Sequence, residues 1–261
     1  LYMGIDYRPD HSIRVPRPDL SLELGTPNSC SAAGCHADKP LSWVIDYYHS
    51  WYGKSKKAHY GELIAAARTG GPEAGEELRT LAQDSLSPAI VRATALSLLS
   101  NYPGPDTTKT MIAGLEDEDS LIRQTAIRGL QNIDRKTRLE NIAPKLYDQV
   151  KGVRIEAAAA LASVPKKSIR TDDLEAFAAA LKEYEEAMRY NADFAPQRFN
   201  LGNLASALGN DEEAIGFYEQ AIAIDGQFYP AKMNLAMIYN RTGNNESAEK
   251  LLREVIAGHP N

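Results

Sequence analysis

From residue 38 onward, apolar positions recur every three to four residues almost without a break, the spacing of amphipathic helices. The first helix of that series carries Trp43, Val44, Tyr47, Tyr48, Trp51 and Tyr52. Asp38 is placed to cap it, Pro40 falls in its first turn and Gly53 ends it. Both tryptophans and four of the thirteen tyrosines lie between residues 43 and 60. They predict an aromatic core between two helices, or an aromatic wall for a flat ligand, and the two are compatible. Residues 1–38 break the helical pattern, because Pro9, Pro16, Pro18 and Pro27 alternate with Gly4, Gly25 and Gly34. The alternation Leu20, Leu22, Leu24 predicts at most one short extended piece. Ordering such a segment costs about 1–2 kcal/mol of backbone entropy per residue, so something beyond its own apolar side chains has to hold it.

Residues 72–170 repeat. Val91-Arg92, Ile122-Arg123 and Val153-Arg154 stand 31 residues apart, followed in register by Ala95, Ala126 and Ala157, then by Leu99, Leu130 and Leu161. A fixed period of this size with two helices per unit predicts a helical solenoid. Pro88, Asp117–Asp119 and Lys151-Gly152 mark its turns. The alanines allow close helix approach, the leucines fill the space between pairs, and each arginine either bonds the adjoining repeat or is solvated. Residues 195–261 carry a second repeat of period 34. Leu201-Gly202, Gly209, Ala214, Tyr218 and Ala221 form one copy, and Leu235-Ala236, Gly243, Ala248, Leu252 and Val255 the next. Ala180, Tyr184 and Ala187 precede the first copy in the same register, so the helix over roughly 172–191 serves as the second helix of an incomplete unit.

Composition narrows the function classes. The chain has 29 basic and 35 acidic residues, net −6, which argues against a nucleic-acid partner. Residues 171–261 hold 7 basic and 15 acidic groups, a local excess of −8 that favours a basic partner there. No run of 18 apolar residues exists, so no membrane span is expected. The chain starts at Leu1 and reads as a processed chain or as the C-terminal part of a longer one. No Ser-His-Asp set, phosphate loop or paired-carboxylate cleft is visible, so none of these motifs points to an enzyme.

The candidate chemistry is concentrated in Cys30-Ser-Ala-Ala-Gly-Cys35-His36, which holds both cysteines of the chain. Two thiols closed by Cys-His suit covalent haem attachment: each sulfur adds to a vinyl group and the adjacent imidazole binds iron, although the usual spacing leaves two residues between the cysteines rather than four. The competing readings are a Cys30–Cys35 disulfide, a zinc site with a remote fourth ligand, and two unrelated thiols. With haem, His36 is the proximal ligand. His11 is the first choice for the distal ligand and His59 the second, ahead of His49 and Met3, while His259 is a surface residue. Arg14, Arg17, Lys54, Lys56 and Lys57 are available for propionates. Two histidine ligands favour electron transfer; an open sixth position would favour a haem enzyme.

The copies over 195–261 resemble tetratricopeptide repeats, departing at Arg198, Lys232, Ala205 and Gly226, and the zone over 71–170 resembles HEAT repeats with shortened units. The words His11-Ser-Ile-Arg14-Val-Pro16, Gly25-Thr-Pro27-Asn28-Ser-Cys30, Cys35-His36-Ala-Asp38-Lys39, Trp51-Tyr52-Gly53 and His59-Tyr60-Gly61 resemble the haem-binding part of multihaem c-type cytochromes that carry helical repeats. The resemblance implies an all-α chain: an irregular haem-binding segment (1–70), then an α-solenoid of HEAT-like (71–170) and tetratricopeptide (171–261) helix pairs. It implies haem c as cofactor, a haem-ligating role for His11, and a periplasmic or extracellular location. The expected partners are redox proteins or other haem-bearing chains. Asn200, Asn203 and Asn234 are expected on the concave face of the last repeats, with Phe199, Met233, Met237 and Arg241, where asparagines can clamp an extended peptide. The rival function is a non-redox peptide-binding adaptor with a Cys30–Cys35 disulfide.

Overall fold

A computed structural model describes residues 17–28, 30–31, 36–54 and 59–258; these residues form helices and turns, with no strand among them. The chain divides into two compact units, Leu1–Ala74 and Gly75–Asn261, with the HEAT-like and tetratricopeptide-like zones together in the second.

The first unit holds α1 (Pro18–Leu24), α2 (Leu41–Tyr52) and α3 (Tyr60–Arg68), with α1 packed against both others. The Leu20–Leu24 alternation is helical rather than extended. Pro18 presets the first turn, Asp19 favours its positive end, and Gly25 closes it at φ 67°. In a helix Leu20 and Leu24 share a face, which is why Leu20 is buried and Leu22 exposed. Arg17, a propionate candidate, is committed to Asp19 (2.7 Å) and Glu62 (3.8 Å). The hydrogen bonds from Arg17 hold the Asp19 carboxyl below its usual range. Helix α2 starts after Pro40, which occupies the cap position, while Asp38 is exposed and pairs with Lys39. The residue before a proline is driven out of the helical region, so the helix cannot begin at Lys39. Gly53 ends α2 at φ 79°, as predicted.

Helix α4 (Ala74–Gln83) leads into the second unit, which continues with α5 (Ala89–Leu98) and the helix pairs α6 (Pro105–Gly114) with α7 (Ser120–Leu130) and α8 (Arg135–Ile142) with α9 (Lys151–Leu161). Helices α5, α7 and α9 stack in succession. The residues spaced by 31 form their shared core: Val91, Ile122 and Val153, the three alanines and the three leucines are all buried. Helix α9 continues onto α10 (Leu174–Tyr190), and α10 onto α11 (Ala195–Ala207). Helices α11 and α12 (Asp211–Ile224) pair, as do α13 (Tyr229–Arg241) and α14 (Asn245–Gly258). Gly209 and Gly243 close the first helix of each of these pairs at φ 83° and 86°, a conformation that glycine adopts without strain.

The repeated arginines bond both the turn before their own helix and the next repeat. Arg123 Nη1 donates to the Asp117 and Glu118 carbonyls (2.8 and 2.9 Å), and its Nε and Nη2 donate to the Asp148 carboxylate (2.8 and 2.9 Å). Arg154 repeats this on the Asp148 and Gln149 carbonyls and on Glu183. Arg92 reaches Asp117 in the same sense and donates from Nε to the Ala82 carbonyl. Burial pushes the Asp148 carboxyl up, but the hydrogen bonds from Arg123 and the Val150 N–H outweigh it and leave the group below its usual range.

In the last repeats the small residues sit where the helices cross. A Cβ on Gly202 would lie 2.6 Å from Tyr218 Cε1. The ring cannot yield freely, because Tyr218 is buried and its hydroxyl donates to Asn203 Oδ1 at 2.8 Å.

Two predictions follow from this packing. Asp148→Asn leaves Arg123 buried without a counter-charge and lowers stability by about 3 kcal/mol, whereas Glu249→Gln, which removes an exposed partner of Arg253, changes it by less than about 0.5 kcal/mol; urea unfolding of the full chain reads both. Gly202→Ala costs about 1–3 kcal/mol through overpacking, while Gly216→Ala, in the interior of α12 with open space around it, gains about 0.5–1 kcal/mol; thermal unfolding followed by circular dichroism should rank them in opposite directions from the wild type.

Candidate functional site

Two regions carry candidate chemistry, one in each unit. In the first unit, Asn28 Oδ1 accepts from the backbone N–H of Cys30 and of Ser31 (3.0 Å each) and from the Ser31 hydroxyl (3.1 Å), building a side-chain-held turn under the first cysteine. Cys30 is half-buried and carries a free thiol. Cys35 and His11 lie outside the described residues, as do Lys56, Lys57 and His259. His36 is exposed, its ring 5.0 Å from that of Trp43. From there a continuous aromatic row runs along α2, with Trp43 to Tyr47 at 4.5 Å and Tyr47 to Trp51 at 5.8 Å between centroids. Positions 43, 47 and 51 share one helical stripe.

This row is not a core. Tyr47 is 46% exposed, Trp51 70% and Tyr52 71%, and Val44 is the buried apolar residue of α2. The prediction of an aromatic core between two helices therefore fails for Tyr47, Trp51 and Tyr52, and the row is half-buried at Trp43 and exposed from Tyr47 to Trp51. His59 caps α3 instead, its Nδ1 accepting from the Gly61 N–H at 3.0 Å and its ring lying 4.2 Å from that of Tyr60. An acceptor Nδ1 leaves the proton of neutral imidazole on Nε2, so His59 would have to release this cap before Nε2 could bind a metal.

Among the described residues no group of three or more His, Cys, Asp or Glu comes together, so these residues do not form the closed set that a bare zinc ion needs. A haem supplies four nitrogens of its own and asks the protein for one or two axial ligands. A free thiol on a fixed turn, an exposed imidazole and an uncovered aromatic row fit that demand.

In the second unit, a groove of about 580 Å³ opens where the two repeat types meet. Asn200 and Asn203 line it with Gln124 and Arg128 of α7, Glu156 of α9 and Tyr184 of α10. Asn203 is partly occupied internally, since its Oδ1 accepts from both the Tyr218 hydroxyl and Asn234 Nδ2, each at 2.8 Å. Asn234 belongs to that buttress and does not line the groove. Met233 and Met237 are exposed on α13, while Phe199 packs on Tyr218 and Phe228. Arg241 pairs with Asp211. Sequence reasoning missed Gln124, Arg128 and Arg138. A signal existed for Arg128: the 31-residue register places small Ser97 and Ala159 at the matching positions of the flanking copies.

Residues 75–162 match the family of HEAT repeats, and residues 212–261 match that of the Tetratricopeptide repeat. No curated protein and no solved structure matches the chain. The second unit thus has the helical-repeat architecture of a docking module. No helix among the described residues is long and apolar enough to cross a membrane.

The groove wall makes a pH prediction. Burial, with a smaller contribution from the Glu156 charge, raises the Tyr184 phenol from 10.0 to about 12. Its stabilising contribution is complete below pH 10 and is lost as the pH rises through about 12, because the unfolded chain ionises first. Tyr184→Phe should remove one phenolate equivalent from the alkaline end of an ultraviolet titration and soften the alkaline loss of stability.

Proposed function

We propose that this chain carries a haem of an exported, periplasmic or extracellular c-type cytochrome and that its repeats form a docking arm for redox partners or other haem-bearing chains. Haem c is linked through thioethers at Cys30 and Cys35, with His36 as proximal ligand. His11 is the distal ligand of first choice. His59 ranks second, because ligation would cost it the cap on α3. The observation that carries this reading is the aromatic row from His36 through Trp43 and Tyr47 to Trp51, in the same unit as the free Cys30 thiol. A porphyrin plate bound there removes apolar surface from water at about 25 cal/mol per Å² and supplies packing that a proline-rich sequence does not provide from its own apolar side chains.

When bound, the haem supplies a one-electron iron couple. The protein's part is to hold the plate by two sulfurs, orient an imidazole against Trp43, and shield one face with aromatic side chains. A bis-histidine site leaves no position for substrate, so the role is electron transfer rather than catalysis. The match to HEAT and Tetratricopeptide repeat families supports the docking part.

The test is expression of the full chain with export and a cytochrome maturation system. A thioether-type pyridine haemochrome spectrum and an intact mass increased by one haem are expected, with Cys30→Ser reducing the product to a single thioether. A chain exported without haem and carrying a Cys30–Cys35 disulfide would instead leave the peptide-binding adaptor.

A further inference from the structure

The groove between the two repeat types contains one charge that its other lining residues do not balance. Arg128 and Glu156 face each other as an ion pair at 2.7 Å. Arg138 has no acid. Its Nη1 donates to the carbonyls of Gln131 (2.8 Å) and Ala160 (3.3 Å) and to the Ser163 hydroxyl (3.2 Å), its Nε is buried without an acceptor, and no group among the described residues accepts from its Nη2. Arg123 and Arg154 define what such an arginine does elsewhere in this array: Nη1 rests on carbonyls while Nε and Nη2 meet a carboxylate of the next helix pair. Arg138 is held by the same carbonyl anchorage, and the carboxylate is missing.

We propose that this groove binds an extended, acidic segment of a partner protein, with a carboxylate of that segment meeting Arg138 Nη2. The inference deepens the docking-arm part of the proposed function and is independent of the haem. Three features favour this occupant. The guanidinium is preorganised by neutral acceptors from two different parts of the array, so little side-chain entropy remains to be lost on binding. The side-chain amides of Gln124, Gln131 and Asn200 line the same groove, and each amide offers both a donor and an acceptor, which matches the alternating carbonyls and N–H groups of an extended main chain. The volume, about 580 Å³, lies within the range of roughly 300–1,000 Å³ usual for ligand sites. The acidic surplus of residues 171–261 as a whole would repel such a segment outside the groove, which makes the positive groove a selective landing point rather than part of a general attraction.

The probe is a fluorescein-labelled decapeptide of alternating Glu and Ser, compared with its Gln–Ser counterpart by fluorescence anisotropy on the full chain. The wild type should bind the Glu peptide at least tenfold more tightly than the Gln peptide, with affinity falling as salt is raised. Arg138→Gln should erase that preference, while Arg253→Gln, which removes one positive charge at an exposed position away from the groove, should preserve it. Equal binding of the two peptides by the wild type, no binding of either, or an undiminished Glu preference in Arg138→Gln would overturn the proposal. The wild-type comparison needs no variant, so it decides even if Arg138→Gln fails to fold. Loss of the haem reading would appear in the haemochrome spectrum and not in this assay.

Discussion

The structure depends on a single repeated bond: an arginine near the start of one helix that grips its own preceding turn and the carboxylate of the next helix pair. Helix pairs in a solenoid touch only their neighbours, so stability is a sum of interface contributions. Apolar packing supplies most of each interface but tolerates sliding, since the facing residues are alanine and leucine on every copy. A bidentate arginine–carboxylate bond does not slide. Asp148 shows how the rungs are coupled: its carboxylate accepts from Arg123, and its main-chain carbonyl accepts from Arg154. One turn therefore fixes the spacing on both of its sides. Buried pairs of this kind contribute more to choosing a geometry than to net stability, and choosing a geometry is what an array of near-identical units requires.

The ladder ends on α10, and this explains how two repeats of different period share one compact unit. Glu183 receives Arg154 on one side of the helix. Ala180 and Tyr184 follow the 34-residue register on another, with Ala180 buried and the Tyr184 hydroxyl donating to the Asn200 carbonyl at 3.4 Å. A 17-residue helix thus answers to both periods at once. The mismatch between them is where the groove opens, because polar side chains of α7 and α11 face a space that neither repeat alone would fill.

Much of this was legible from spacing. The register Val91, Ile122, Val153 gave the buried stripe, Gly202 gave the helix crossing at Tyr218, and Ala180-Tyr184-Ala187 located α10. Legibility failed where a side chain's partner lies far along the chain or where a local rule competes with a pattern. Alternating leucines suggested an extended piece, but Pro18 and Gly25 bound a seven-residue helix. Asn203 and Asn234 looked available for a peptide, yet each is drawn toward Tyr218, a contact that only the pairing of α11, α12 and α13 creates. Lys232 departs from the aromatic expected at its position, and the loss is met by burying its stem and pairing its ammonium with Glu254 at 2.7 Å.

The two units also differ in how they meet the entropy of folding. In the second, dozens of buried apolar side chains close over one another. In the first, Pro18, Leu20, Val44, Ala67 and Ala74 are the buried apolar residues among those described, while Trp51 and Tyr52 face solvent. A domain with so little core is ordinarily stapled by a disulfide, a metal or a large ligand. A disulfide between residues five apart would restrain only a short loop and would leave the row from Trp43 to Trp51 in water. The planar ligand proposed above would restrain that loop through the same sulfurs and would offer an apolar plate to the exposed aromatic side chains. The need for such a staple, and an aromatic row that is exposed from Tyr47 to Trp51, are what support the proposal of a haem in the first unit, while the repeat families support docking by the second.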